Sequence, residues 1–218
     1  MYSVLILAGP SAAGKTTVAE ELIKREGSKF ELVRSLTTRK KRGDGFDGEY
    51  LYAEREEFES RIASGGVLEY TEYAGELYGT PSSEIERISA EGRIPLLILD
   101  LKGVGSLSLR NDILAPCPIY VFSDLEVLEK RLADRYLGEP LSEENERRYN
   151  KRMAQNRSDL GKISEWSEDF YAFVENSGAL SDAADKVSLL FSAFLSGIPK
   201  NESEINRTVN RIKSSIII

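Results

Sequence analysis

The sequence has no histidine and a single cysteine, Cys117, in 218 residues. Without histidine there is no Ser-His-Asp triad, no His-ligated zinc and no imidazole general base. One cysteine rules out a disulfide framework and a Cys-rich metal site, and points to a reducing compartment. Nor does any stretch approach the ~20 apolar residues needed to span a bilayer; the longest runs, Val4–Ala8 and Ile94–Leu99, are the length of strands. An excess of positive charge is also missing: 29 basic against 36 acidic side chains give −7, which argues against a broad nucleic-acid surface. The apolar N-terminus lacks the basic flank and length of a signal peptide, so it reads as structure. These features predict a cytoplasmic protein with neither membrane nor nucleic acid as partner.

What is present describes a folded chain. Hydrophobic residues at 41% and charged residues at 30% are enough for a core and too few charges for disorder. Length predicts one domain with small inserted parts. Tyr2–Ala8 reads as a buried strand and Ala13–Arg25 as a helix, followed by a strand over Phe30–Leu36. After a basic, glycine-containing loop from Thr38 to Asp47, a small sheet is expected around Tyr50 and Tyr52. Glu56–Ser64 and Ser82–Glu91 read as helices, Val67–Tyr73, Ile94–Leu99 and Pro118–Phe122 as strands. A helix over Asp124–Tyr136, a strand over Ala172–Val174 and a helix over Ala179–Leu195 complete the alternation. That order predicts an α/β fold, a parallel sheet with helices on both faces. Ile205, Val209, Ile212 and Ile216 are spaced for a terminal helix packed on its own domain.

Gly9-Pro10-Ser11-Ala12-Ala13-Gly14-Lys15-Thr16 satisfies the pattern G-x-x-x-x-G-K-[ST], between a predicted strand and a predicted helix. Glycines at both ends let the backbone turn tightly, so that successive amides face an anion, and the following helix adds the positive end of its dipole. Lys15 supplies a mobile charge for β- and γ-phosphates, and the Thr16 hydroxyl can ligate Mg²⁺; Thr17 extends the set. The motif indicates a nucleoside triphosphate and leaves the acceptor open.

Further segments bear on the acceptor: Ser35-Leu-Thr-Thr-Arg39-Lys-Lys-Arg42, Asp47-Gly-Glu-Tyr50-Leu-Tyr52, Gly66-Val-Leu-Glu69-Tyr, Tyr78-Gly79-Thr80-Pro and Asp100-Leu-Lys-Gly103. In this order and spacing, from about Tyr2 to Leu195, the chain resembles the guanylate kinases, P-loop enzymes that phosphorylate GMP with ATP. The resemblance implies a P-loop NTPase-type core (1–33, 93–135 and 158–195), a GMP-binding insert (34–92), a lid (136–157) and a tail beyond 195. It implies that Arg39, Arg42, Tyr50 and Tyr78, with Ser35, hold the phosphate of GMP. Paired guanidiniums suit a dianion because they bond it bidentately. It further implies that Glu69 accepts from guanine N1–H and the 2-amino group, with Thr80 near O6 and Asp100 at the same site. Adenine lacks those donors, so it would leave a desolvated carboxylate unpaired.

Arg131 and Arg135 lie four apart on one predicted helix face. With Arg152, for whose role Arg147, Arg148 and Arg157 compete, they match the arginines that in this family close over the triphosphate, where transfer depends on positioning and charge neutralisation. Asn176 matches a position near the adenine, and turn formation accounts for it equally well. Two departures stand out. Ala12 occupies a position that is commonly glycine, a change expected to be tolerated. Ile98 stands where many relatives carry an aspartate, leaving Asp100 as the acid for Mg²⁺ at that strand end. Two other readings remain open from the residues: a related kinase for another phosphorylated acceptor such as a ribosyl phosphate, and a non-catalytic phosphopeptide-binding module. A monomer and a homodimer both fit.

Overall fold

A computed structural model describes residues 1–41, 50–73, 75–110, 112–138 and 142–216. A five-stranded parallel sheet has the order β2-β7-β1-β8-β9, from β1 (Tyr2–Ala8), β2 (Phe30–Leu32), β7 (Ile94–Ile98), β8 (Leu114–Phe122) and β9 (Ala172–Glu175). A second, mixed sheet has the order β4-β3-β6-β5, from β3 (Ser35–Thr37), β4 (Tyr50–Tyr52), β5 (Val67–Tyr73) and β6 (Glu76–Pro81). The helices are α1 (Lys15–Glu26), α2 (Arg55–Ala63), α3 (Ser82–Ala90), α4 (Leu101–Ser108), α5 (Leu125–Tyr136), α6 (Glu143–Gly161), α7 (Ile163–Trp166), α8 (Leu180–Leu195) and α9 (Glu202–Ile216). Two compact units are formed, Met1–Ile6 with Ile23–Pro116, and Leu7–Leu22 with Cys117–Ile218.

Several boundaries differ from the expectations. The run Phe30–Leu36 is two strands in two sheets: β2 pairs with β7, whereas β3 pairs with β4 and β6. The chain leaves the first sheet where Val33 N–H donates to Leu96 O and Arg34 turns to Glu84. Helix α1 starts at Lys15 rather than Ala13 because the intervening residues form the loop. Strand β8 begins at Leu114 despite Pro116 and Pro118; both precede its register with β9, which opens at Ile119↔Ala172. Strand β6 and helices α4 and α6 were not anticipated. Helix α4 contains Gly103 and Gly105, poor helix formers, and is held at its start by the Asp100 side chain, which accepts from Gly103 N–H at 2.8 Å. In α6 only Met153, Asn156 and Leu160 are buried, a stripe too thin to show in the pattern.

In the first unit, a buried cluster of Leu36, Phe58, Val67 and Leu77 underlies the mixed sheet, with Leu51, Ala53 and Ile62 packed on it. In the second, Tyr120 stacks edge-on to Phe170, ring centroids 5.1 Å apart, and lies 5.0 Å from Phe173. Helix α9 packs on α6, α7 and β9, burying Ile205, Val209 and Ile212 as the spacing predicted.

Candidate active site

Each unit presents a group of side chains with its own chemistry. In the second unit, the loop from Gly9 to Gly14 joins the end of β1 to α1. Gly9 has φ +143°, and a Cβ there would come within 1.9 Å of Val121 O; only glycine lets the loop leave β1 so close to β8. Gly14 has φ +86°, and a Cβ would meet Asn176 Nδ2 at 2.4 Å. Ala12 also has a left-handed backbone, φ +65°, which costs a non-glycine residue about 1–2 kcal/mol. Alanine is accommodated at this position, but with strain.

Each carbonyl of this loop from Gly9 to Ala13 accepts a side-chain hydrogen bond. Lys15 Nζ donates to Gly9 O at 2.8 Å and Pro10 O at 2.9 Å. Asn156 Nδ2 donates to Ser11 O at 3.0 Å, Arg131 Nη1 to Ala12 O at 3.2 Å, and Asn176 Nδ2 to Ala13 O at 2.8 Å. Arg131 also donates to Ser123 Oγ at 3.0 Å and to Asn176 O at 2.8 Å, so it stands against the loop. Arg152 Nη1 donates to Ser11 Oγ at 2.8 Å, bringing α6 to the same place. Arg135 lies on the exposed side of α5. Thr16 and Thr17 are exposed in the first turn of α1. Asn176, 4% exposed, uses its side-chain amide to brace the loop.

In the first unit, the mixed sheet carries the second group. The parallel register Ser35↔Tyr50 and Thr37↔Tyr52 sets β3 and β4 side by side. Arg39 lies over the Tyr50 ring, its Cζ 4.8 Å from the centroid, and donates to Tyr52 Oη at 3.3 Å. Tyr50 and Tyr78 meet edge to face at 6.1 Å. Arg39, Tyr50 and Tyr78 are thus brought together, and Tyr52 joins them. Arg42 lies outside the described residues. Lys41 Nζ sits 5.3 Å from the Tyr52 centroid, a further cation at the cluster.

Strand β5 shifts register between Val67 and Glu69, a bulge that re-aims the following side chain. Glu69 then lies opposite Thr80, whose Oγ1 donates to Glu69 Oε1 at 2.6 Å. Gly79, between Tyr78 and Thr80, passes over the core: a Cβ would lie 2.7 Å from Glu69 O and 3.1 Å from Phe58 Cζ. Glu69 Oε2 and Asp100 Oδ1 both approach Gly103, each 3.4 Å from the position of an added Cβ. Burial pushes the Glu69 carboxyl up from its ordinary range, and the Asp100 charge adds to this, against the hydrogen bond from Thr80.

Asn156 and Tyr52 were not singled out from the sequence. Asn156 had one signal available, a polar residue within the only apolar stripe of a charged helix. Tyr52 had alternation with Tyr50 across Leu51. Among the described residues no group of three or more His, Cys, Asp or Glu side chains could hold a metal on its own, and no helix is long and apolar enough to cross a membrane.

A sequence model of the guanylate kinase family matches residues 1–193. A guanylate kinase of Streptococcus thermophilus (strain CNRZ 1066) is 31% identical over 194 residues, covering 87% of this chain and 86% of that one. A guanylate kinase of Sus scrofa is 34% identical over 165 residues, 74% of this chain and 78% of that one. The crystal structure of guanylate kinase from Anaplasma phagocytophilum superposes with a TM-score of 0.60 over 88% of this chain and 85% of that one, at 24% identity, which bears on the fold.

Proposed function

The chain belongs to the guanylate kinase family, and from that premise we propose that it transfers the γ-phosphoryl group of ATP to GMP, giving ADP and GDP. The observation that carries the choice of acceptor is the Glu69–Thr80 pair at 2.6 Å, on the same sheet as Tyr50 and Tyr78, with Arg39 just past the end of β3. A half-buried carboxylate is a costly feature that guanine repays through its N1–H and 2-amino donors. Adenine offers neither. Asp100 supplies a second acceptor near Glu69. Arg39, with Arg42, neutralises the monophosphate dianion; Tyr50, Tyr78 and Ser35 donate to its remaining oxygens without adding charge. Residues 34–92 are the acceptor-binding part in this reading, and 136–157 the lid.

The loop Gly9–Thr17 binds the donor's phosphates. The carbonyls of Ser11, Ala12 and Ala13 accept from Asn156, Arg131 and Asn176, so each following N–H points the opposite way across its trans peptide, and we read these amides as the anion cradle. The start of α1 adds its dipole. Lys15, now bonded to carbonyls of Gly9 and Pro10, is the charge that moves onto the phosphates. Arg131 and Arg152, both at the loop, and Arg135 on the same helix as Arg131, offset charge on the phosphoryl group as it moves.

Mg²⁺ fits the donor set. It binds through few protein oxygens and mostly through phosphates and water, so an exposed Thr16 hydroxyl at the start of α1 would be suited to it. When bound it supplies charge neutralisation across the β- and γ-phosphates. A compartment without disulfide chemistry, the cytoplasm, agrees with the lone buried Cys117.

The test is a coupled assay of ADP release with GMP, dGMP, AMP, UMP and ribosyl phosphates as acceptors. Guanine nucleotides should turn over and the others should not. Equal turnover of AMP, or none with any acceptor, overturns the proposal.

A further inference from the structure

Asn156 is 1% exposed and sits on α6, a helix otherwise rich in charge. Its side chain grips one residue of the phosphate loop from both sides. Ser11 N–H donates to Asn156 Oδ1 at 2.8 Å, and Asn156 Nδ2 donates to Ser11 O at 3.0 Å. Arg152, one turn earlier on the same helix, donates to Ser11 Oγ at 2.8 Å. Every polar group of Ser11 is therefore engaged by α6.

The consequence follows from the trans peptide, in which the carbonyl of one residue and the N–H of the next point in opposite directions. With Ser11 C=O drawn to α6, Ala12 N–H points away from α6. With Ser11 N–H drawn to the same amide, Pro10 C=O points away as well, where it accepts from Lys15 Nζ at 2.9 Å and Ala13 N–H at 3.3 Å. One carboxamide thus sets two consecutive peptide planes. The left-handed turn at Ala12 comes directly after them, so the strain at Ala12 is borne next to a segment fixed by α6. An asparagine suits this task because it offers an acceptor and a donor in one plane; aspartate keeps the acceptor and replaces the donor with a second oxygen.

We propose that Asn156 is a positioning residue for the donor nucleotide: by fixing the peptide units on both sides of Ser11, it aims the Ala12 amide into the phosphate cradle. The inference rests on the reading of Gly9–Thr17 as the ATP site. Its sign is selective, since the hydrogen bonds of the Asn156 side chain go to Ser11 of the donor loop.

The experiment compares Asn156→Asp, Asn156→Ser and Asn156→Ala in the full chain. It measures affinity for a non-hydrolysable ATP analogue and for GMP separately by calorimetry, with KM for each substrate and kcat. Expected is a loss of analogue affinity of about tenfold or more, largest for Asn156→Asp, with a matching rise in KM for ATP. Affinity for GMP should stay within about twofold, which also shows that each variant is folded. Unchanged analogue affinity in all three variants, or equal losses for both nucleotides, would overturn the inference. Failure of the underlying reading looks different: the unsubstituted chain would not bind the analogue at all.

Discussion

Thr80 Oγ1 donates to Glu69 Oε1 at 2.6 Å across neighbouring strands, and this single bond opposes the burial that otherwise drives the carboxyl toward its neutral form. Burial raises the Glu69 pKa above the ordinary 4.5, Asp100 adds to it, and the hydrogen bonds with Thr80 only partly offset them. A carboxylate held this way costs stability; in the proposed function it is repaid by recognition of guanine.

Glu69→Gln therefore separates the two. The raised folded-state pKa means the folded protein holds a proton the unfolded chain has released. Glu69 favours the fold at acid pH, and that contribution is lost as pH rises from 4.5 through the raised value. The variant should melt at a higher temperature than the parent at pH 7, while kcat/KM for GMP falls on the order of 10²–10⁴-fold. Thermal unfolding and steady-state kinetics on the same samples check both signs; a lower melting temperature would contradict the account of Glu69.

Glu84 behaves in the opposite sense. Burial alone would raise it, but hydrogen bonds from Arg34 and Arg87 outweigh burial and hold its pKa at about 2. Its side chain is 5% exposed, against 42% for Arg34 and 34% for Arg87, so solvent weakens the pairs from the arginine side. This depressed pKa adds stability that is complete above pH 4.5 and is lost as pH falls toward 2. Glu84→Gln should cost about 1–3 kcal/mol at pH 7. It should also flatten the acid limb of a stability–pH curve measured by urea unfolding.

Ala12→Gly should stabilise the chain. The left-handed φ of +65° carries a steric cost that glycine lacks, partly offset by glycine's greater freedom when unfolded. A gain of about 1 kcal/mol, or about 2–4 °C in melting temperature, is expected by calorimetric scanning.

Gly79→Ala tests the link between core and acceptor group. The added methyl would lie 2.7 Å from Glu69 O, 2.8 Å from Val67 Cγ1 and 3.1 Å from Phe58 Cζ, so β6 must move. Destabilisation of about 1–3 kcal/mol is expected, with KM for GMP rising more than KM for ATP, because Tyr78 and Thr80 move with the strand. Equal shifts in both constants would argue against that coupling.

Lys15→Ala and Arg39→Ala should fail in different ways. The first should lower kcat by about 10³-fold or more and leave GMP affinity within about twofold. The second should weaken GMP by about 30-fold or more with little effect on ATP affinity. Calorimetry with each nucleotide alone distinguishes them.

The donor loop was legible in the sequence because its requirements are local. Gly9, Gly14, Lys15 and Thr16 must occur at fixed spacing between a strand and a helix, and backbone geometry alone demands the glycines. Strand β1 was bounded correctly for a similar reason: Val4–Ala8 is a short unbroken apolar run, and all five residues are buried. The acceptor segments were visible only as residues in a familiar order. Nothing local says that Tyr52 stands with Arg39, that a bulge at Leu68 turns Glu69 to Thr80, or that Phe30–Leu36 divides between two sheets. Those relations depend on cross-strand register and on hydrogen-bond partners far away in sequence.

The sequence by itself determined the charge balance, the lack of imidazole chemistry and of a disulfide framework, the glycine-bounded loop ahead of Lys15 and the alternation that yields an α/β chain, all of which follow from composition or from spacing within a few turns. Only the tertiary structure decided which side chains hold that loop. Ser11 and Asn156 are 145 positions apart, and no local rule brings a carboxamide in α6 to a peptide in the loop. Packing brings them together, because the buried Asn156 amide needs partners for its oxygen and its nitrogen and finds both on Ser11.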